Sequence, residues 1–170
     1  GVDVGTLVGR DPIGVAATTD VDVIVALDAD CVIYTPRNGD LDDVCRLLAS
    51  GKNVATTVFL FYPPRLPDAD RERLASACRE GDSTFHASGI NPGNLSGVLP
   101  LALSGMSRTI DKITLQERAD MTLYDSTDIS FGNMKFGEPM EVVDPDVDEY
   151  LHDMKSMFVE QVWLLADALN

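Results

Sequence analysis

Basic side chains and histidines are scarce in this chain. Only 13 Lys and Arg residues stand against 28 Asp and Glu, which gives a formal net charge of −15 at pH 7, and there are two histidines. A nucleic acid or an anionic membrane would require a basic surface that neutralises phosphates, so neither is expected as a partner. We interpret the acidity as a solvated surface that favours solubility.

Cysteines are also few. Cys31, Cys45 and Cys78 are odd in number, lack the spacing of a metal site, and each falls on an apolar strand or helix position. They are typical of reduced core residues in a cytoplasmic protein, and no metal site is expected. No apolar run approaches the roughly 20 residues of a membrane-spanning helix, and no signal peptide is visible. A Ser-His-Asp arrangement, a P-loop and internal repeats are missing too, so a hydrolase or a metalloenzyme has no support.

What the sequence does contain is a clear βαβ pattern over residues 30–57. The run 31–34 is apolar at every position, which is typical of a strand buried on both faces of a parallel sheet. A helix is predicted from a cap at Asp40 to Gly51, and residues 53–57 form the next strand. The right-handed crossover brings the ends of both strands to one sheet edge, where open α/β sheets bind ligands.

Strands and helices alternate around this unit. The pattern predicts a short strand at 14–18, a helix at 21–27, a helix that Asp68 caps, and a strand at 83–88. This alternation indicates an α/β fold with a Rossmann-type, doubly wound parallel sheet. The sheet is expected to be incomplete because no GxGxxG loop is present. We therefore expect the chain to be an internal piece of a larger protein.

The pattern changes after residue 92. Asn91 as a cap and Pro92 at the first helical position predict a helix that reaches Met106. Alternating polar and apolar residues over 113–123 predict a long strand, and a final long helix is expected to start at Asp144. We expect two domains: a partial nucleotide-binding domain over 1–92, and part of an α+β substrate and dimerisation domain over 93–170.

Three motifs in order resemble the dihydrodipicolinate reductase superfamily of NAD(P)-dependent oxidoreductases. Residues 30–36 and 51–57 are similar to its strand-Thr-Pro and Gly-Lys-Asn-Val…Thr-Thr patterns. Residues 89–93 are similar to the Gly-Ile-Asn-Pro-Gly of its amine and diaminopentanoate dehydrogenase-like branch. The resemblance covers most of 14–125. No histidine pair or lysine follows Glu117, so dihydrodipicolinate itself is not the expected substrate.

The resemblance implies NAD or NADP as the cofactor and a small-molecule substrate with a C=N or C=O group. The residues that it implies near the cofactor are Tyr34, Thr35, Pro36, Thr56, Thr57 and Asn91. Expected near the substrate are Phe59, Phe61, Tyr62, Pro92, Asn94 and Tyr124. Apolar and aromatic side chains are typical of small-molecule pockets, although loop packing would explain the aromatic residues of 59–62 equally well. Turn capping is likewise an alternative for the region of Tyr124.

Two titratable side chains are catalytic candidates. Glu117 interrupts the apolar face of its predicted strand, so it is an acid/base or binds a cationic substrate, or else it has a structural role, either paired with an arginine or capping the backbone at a sheet edge. His86 stands near the end of the last parallel strand and is either close to the reaction or a hydrogen-bonded structural residue. The predicted function is hydride transfer, and the alternative is a non-catalytic relative that binds a dinucleotide or metabolite and acts by domain closure. A homo-oligomer is expected in either case.

Overall fold

The computed structural model describes all residues 1–170 and divides into two compact units. The first consists of residues 1–55 and 67–86, and the second of residues 56–66 and 87–170. The fold is mixed α/β, with a three-stranded parallel sheet and about seven helices, consistent with an incomplete Rossmann-like fold. The predicted fold class is therefore confirmed.

The βαβ unit forms as its sequence predicts. Strand β1 (Cys31–Tyr34) leads into a helix over Leu41–Ala49, and β2 (Asn53–Thr56) follows. The Asp40 carboxylate caps this helix by accepting the backbone N–H groups of Asp42 and Asp43, which satisfies two of the amides that a helix start leaves free. A helix over Asp68–Gly81 then leads to β3 (Phe85–Ala87), and the strands lie in the order β1-β2-β3.

Two crossover helices, named here αA (Leu41–Ala49) and αB (Asp68–Gly81), pack on each other and form the core of the first unit. Val44 and Leu48 are fully buried, and Leu47, Val54, Leu74 and Ala77 are nearly so. The two helices approach closely at Gly81, where a Cβ atom would lie 1.9 Å from the carbonyl oxygen of Leu48. Glycine therefore allows αB to end against αA.

Strand β1 is not buried on both faces, and that prediction is wrong. Cys31 and Ile33 are exposed, Ile33 to 71%, while Val32 and Tyr34 are half-buried. The alternation means that only one face of this strand is covered. A sheet crossed in one direction, β1 to β2 to β3, receives successive right-handed crossovers on the same side. The exposed Cys31 also corrects its expected place in the core, and Cys45 and Cys78 are only half-buried.

The amino-terminal segment contains helices over Val4–Leu7 and Val21–Val25, but no strand at 14–18. Ala16 makes only an isolated antiparallel bridge with Asp3. The Asp3 carboxylate organises this turn by accepting backbone N–H groups of Gly5, Thr6, Ile13 and Gly14. Desolvation acts to raise the pKa of Asp3, but these four donors together hold it below its usual range.

The helix after residue 90 begins later than predicted. Asn91 and Pro92 have extended backbone angles, and Gly93 has φ +132, a conformation that other residues rarely adopt. The wide-turn helix is assigned to Ile90–Val98, but because residues 91–93 are not helical its regular part starts after Gly93 and continues over Leu99–Ser104. No side chain caps this helix, so the predicted cap at Asn91 is wrong, and the Ser96 hydroxyl accepts the Gly93 N–H at 3.1 Å.

The long strand predicted at 113–123 is wrong. Residues 113–120 are irregular and exposed, and a single 3₁₀ turn over Met121–Leu123 follows. A strand needs a neighbour for its backbone hydrogen bonds, and residues 93–170 contain no other strand that would supply one. The alternating sequence therefore has no sheet to join.

The chain ends in a helix of 21 residues, αC (Glu149–Leu169). It starts five positions after the predicted Asp144, where the Asp148 carboxylate accepts the N–H of Leu151 at 3.1 Å. Its buried residues are Gln161 and Leu165, whereas Val162 is 63% exposed. None of the helices is both long and apolar enough to cross a membrane.

Candidate functional site

The second unit encloses a cavity of about 990 Å³, which is large enough for a small organic molecule. Its walls come from the helix that follows Gly93, the irregular segment 110–118, and the last turns of αC. Most of its lining is apolar and includes Leu95, Leu99, Ile113, Leu115, Phe158 and Leu165. Polar side chains interrupt that lining: two hydrogen-bonded groups are described below, and the exposed segment 110–118 adds Asp111, Lys112, Gln116 and Arg118.

The first polar group is Asn91 with Glu117. The Asn91 side-chain amide donates to the Glu117 carboxylate at 2.5 Å. This contact fixes which end of the amide is nitrogen, because a carboxylate accepts hydrogen bonds and cannot donate them. The other end, the Asn91 Oδ1 atom, is buried and has no hydrogen-bond partner. Glu117 itself lies in an exposed segment, so its carboxylate is open to solvent and to a ligand.

The second polar group lies deeper and joins αC to the helix that follows Gly93. Gln161 is 3% exposed and Ser96 is 5% exposed. The Ser96 hydroxyl donates to Gln161 Oε1 at 3.4 Å while it accepts the Gly93 N–H. A Cβ atom at position 97 would lie 2.7 Å from Gln161 Oε1. Gly97 therefore provides the space in which the glutamine side chain fits.

A different face of αC holds the loop over residues 57–66. Glu160 accepts the backbone N–H of Tyr62 at 2.6 Å, and burial raises the pKa of Glu160 although two backbone donors oppose the shift. Asp167 accepts from the Tyr62 hydroxyl at 3.0 Å and from Arg65 Nε at 2.9 Å. The hydrogen bond with Arg65 is the main reason that the pKa of Asp167 is lowered.

Comparison with known proteins adds one relationship. Over 150 residues, or 83% of the chain, the sequence is 35% identical to the "Amine dehydrogenase" of Streptomyces virginiae. The chain spans 41% of the length of that protein. No protein-family model matches the chain, and no solved structure matches it. The likeness indicates a relationship to an oxidoreductase.

The structure brings two of the predicted site residues together. Asn91, expected near the cofactor, and Glu117, a catalytic candidate, are hydrogen-bonded to each other and both line the cavity. His86, the other catalytic candidate, is exposed on β3 and does not line this cavity. Their chemical roles stay predictions, but Glu117 is the candidate that has a cavity beside it.

The other residues expected near the cofactor follow the ends of β1 and β2. The Tyr34 hydroxyl accepts the Asp40 N–H at 3.0 Å, and burial raises the pKa of Tyr34. Thr35 is exposed and Pro36 is half-buried directly after this strand. Thr56 is buried at the end of β2, with its hydroxyl accepting the Val58 N–H, and Thr57 is exposed.

None of the six residues expected near the substrate lines the cavity. Phe61 is buried, and its ring lies 3.9 Å from the position that a Cβ atom on Gly89 would occupy. The Tyr62 side chain is bound to Asp167, as described above, and Phe59 is half-buried in the same loop. The remaining three, Pro92, Asn94 and Tyr124, are half-buried or exposed outside the cavity lining.

The sequence interpretation missed Gln161 and Ser96. Gln161 follows Phe158 by three positions and precedes Leu165 by four, so it stands on the apolar stripe of a helix. A polar side chain at such a position is the signal that identifies it. An amide on a stripe that is otherwise apolar needs a partner or a ligand once it is buried.

Proposed function

We propose that this chain belongs to an NAD(P)-dependent oxidoreductase that transfers hydride to or from a small molecule with a C=O or C=N group. The observation that carries the proposal is the cavity of about 990 Å³ with apolar walls and the hydrogen-bonded pair of Asn91 and Glu117 on its lining. The likeness to a protein named as an amine dehydrogenase supports the same reaction class.

The reaction that this name suggests for the chain is oxidation of an amine. A primary amine, NAD(P)⁺ and water would give a carbonyl compound, ammonia, NAD(P)H and a proton. Hydride leaves the carbon that bears the nitrogen, and a base removes a proton from the nitrogen or from the attacking water. Glu117 is our proposed base because its carboxylate is accessible and because Asn91 orients it. In the reverse direction the same carboxyl group returns the proton.

The cofactor would supply the hydride chemistry, and the protein would orient it. The exposed hydroxyl of Thr35 follows the end of β1, at the edge where parallel α/β sheets bind nucleotides. Such neutral donors and acceptors suit a nicotinamide amide or a ribose. They do not suit a pyrophosphate, which needs a glycine-rich turn and a helix start. The residues present therefore fit the nicotinamide end of the cofactor.

The test is turnover by the protein expressed from its complete gene. We would follow NADH or NADPH absorbance with 2-heptanone and ammonium, and in the reverse direction with 2-aminoheptane. Glu117→Gln keeps the shape and the contact with Asn91 but removes the base. It should lower kcat by about 10² to 10⁴, the usual contribution of a general acid–base group. Glu138→Gln, an exposed change outside the cavity lining, is the control and should leave kcat unchanged.

A second candidate is a metabolite-binding relative without catalysis. The deeper polar residues of the cavity, Ser96 and Gln161, are neutral, and neutral groups favour binding over proton transfer. This candidate would be favoured by tight binding of NADH or of 2-heptanone, in fluorescence or calorimetric titrations, without turnover under any condition.

A further inference from the structure

We propose that Gln161 is the specificity-determining hydrogen-bond donor of the cavity, and that it selects ligands that carry a neutral carbonyl oxygen on an apolar body. The inference deepens the proposed function and rests on it, since it names the chemical group that the cavity recognises. It also gives a role to a residue that the proposed chemistry does not use.

The first argument is the unmet hydrogen-bonding capacity of Gln161. A glutamine amide offers two N–H donors and one oxygen with two lone pairs. Gln161 is 97% buried, yet its side chain makes one hydrogen bond within the chain, in which Oε1 accepts from the Ser96 hydroxyl. Its Nε2 atom is not among the fully buried atoms that lack a partner, so it keeps some accessible surface toward the cavity. The glutamine also lines the cavity, so a ligand there is the partner that remains.

The second argument is the orientation of the amide. The Ser96 hydroxyl oxygen already accepts the Gly93 N–H at 3.1 Å, so its hydrogen is free to donate. Gln161 Oε1, at 3.4 Å, is the acceptor in reach of that hydrogen. The opposite orientation of the amide would leave a buried hydroxyl hydrogen unsatisfied. Both Nε2 hydrogens are therefore left for the ligand.

The third argument is that the surrounding residues fix the position of the Gln161 side chain. Gly97 has no side chain where a Cβ atom would lie 2.7 Å from Gln161 Oε1 and 3.7 Å from Leu164 Cδ2. The glutamine is thus packed against backbone on one side and bound to Ser96. A donor held in this way loses little conformational entropy on binding, which strengthens its effect on affinity.

The fourth argument concerns the charge of the ligand. The deep polar group consists only of an amide, a hydroxyl and a backbone N–H, all of them neutral. The cations of the lining, Lys112 and Arg118, belong to the exposed segment 110–118 and not to this group. A carboxylate bound at the deep group would therefore be desolvated without a cation in that group to balance it, which is costly. A ketone or aldehyde oxygen needs only the N–H donors. Its alkyl chain would contact the walls formed by Leu95, Leu99 and Leu165.

The test compares binding of 2-heptanone to the wild-type protein and to Gln161→Met by isothermal titration calorimetry. Methionine is similar in length and apolar, so it removes the donors with little change in volume. We expect affinity for 2-heptanone to fall about five- to tenfold, as for the loss of one buried hydrogen bond. Glu138→Met also replaces a polar side chain with methionine, but at an exposed position outside the cavity lining, and should alter affinity less than twofold.

Two further probes separate the possible results. Affinity for 2-aminoheptane, whose ammonium group suits Glu117, should be the same in Gln161→Met as in the wild type. Heptanoate should bind the wild type at least tenfold more weakly than 2-heptanone. If Gln161→Met does not fold, the carbonyl ¹³C shift of labelled 2-heptanone replaces it, and the signal of the bound ketone should lie downfield of its position in hexane, because a hydrogen-bond donor polarises the carbonyl group.

Several outcomes would overturn the inference. Equal affinity of the wild type and Gln161→Met for 2-heptanone, or a bound carbonyl signal at its position in hexane, removes the role of Gln161. If turnover with NAD(P)H persists in that case, the proposed function survives. Preferred binding of heptanoate would make the ligand an acid instead of a neutral carbonyl. Failure of the wild type to bind the ketone at all, together with a lack of turnover, rejects both the inference and the proposed function.

Discussion

Replacing Gly81 with alanine should destabilise the folded protein, although the same substitution inside a helix is usually stabilising. At an ordinary interior position Gly→Ala stabilises a helix by up to about 1 kcal/mol. At Gly81 the new Cβ atom would lie 1.9 Å from the carbonyl oxygen of Leu48, 2.8 Å from Gly51 N and 2.9 Å from Leu48 C. All three are backbone atoms, so no side-chain rotation relieves the clash.

The magnitude follows from the movement that is required. The new Cβ atom at position 81 and the carbonyl oxygen of Leu48 must move from 1.9 Å to an ordinary separation of about 3.3 Å. This requires αB to shift away from αA by more than about 1 Å. That retreat opens the packing around Leu48 and strains the hydrogen bond in which Ser83 Oγ donates to the Leu48 carbonyl at 2.9 Å. Overpacking in a well-packed core costs about 1–3 kcal/mol, which exceeds the gain in helix propensity. We expect a net loss of about 1–3 kcal/mol.

The assay is urea denaturation followed by circular dichroism. Gly105→Ala is the matched control, because a Cβ atom there meets nothing closer than 3.8 Å and the backbone is helical. The control should be neutral or stabilising by up to about 1 kcal/mol. If Gly81→Ala were as stable as the wild type, the close approach of αB to αA would be wrong. A loss of equal size in Gly105→Ala would show that the effect is not local.

Two further predictions concern the anchors of the loop over residues 57–66. Because burial raises the pKa of Glu160 above its ordinary value of 4.5, the folded state holds this proton more tightly than the unfolded state. Its contribution to stability is therefore fully present below pH 4.5 and lost as pH rises through the folded pKa. The wild type should gain stability relative to Glu160→Gln as pH falls from 7 to 4 in thermal melts, and parallel curves would contradict this. Asp167→Asn, which weakens the contact with Arg65, should speed amide hydrogen exchange in residues 57–66, with Asp153→Asn, an exposed change elsewhere on αC, as the control. Unchanged exchange in that loop would show that Asp167 does not hold it.

Local signals explain why the βαβ unit could be predicted. The cap at Asp40 and the apolar spacing of Val44, Leu47 and Leu48 lie within a few residues of each other, and each favours the same helix. The exposed face of β1 could not be predicted in this way. Burial of Ile33 depends on which side of the sheet receives the crossover helices, and that property belongs to the sheet and not to the strand.

In the segment 113–123, local signals predict a structure that does not form. Its alternation satisfies every local criterion for a strand, yet pairing depends on a partner from elsewhere in the chain. Only some residues of the cavity could be predicted from the sequence. A charge that interrupts an apolar pattern, as at Glu117, is a strong signal of a functional residue, whereas a neutral amide on an apolar stripe, as at Gln161, is a weaker one.

Helix αC makes the loop and the cavity thermodynamically dependent on each other. Glu160 and Asp167 hold residues 57–66, while Gln161 and Leu165, within the same two turns, line the cavity. A ligand that displaces this part of the helix must also stretch the contacts to the loop. Any molecule that orders the loop would then change affinity in the cavity, and cavity binding would change affinity at the loop by the same factor.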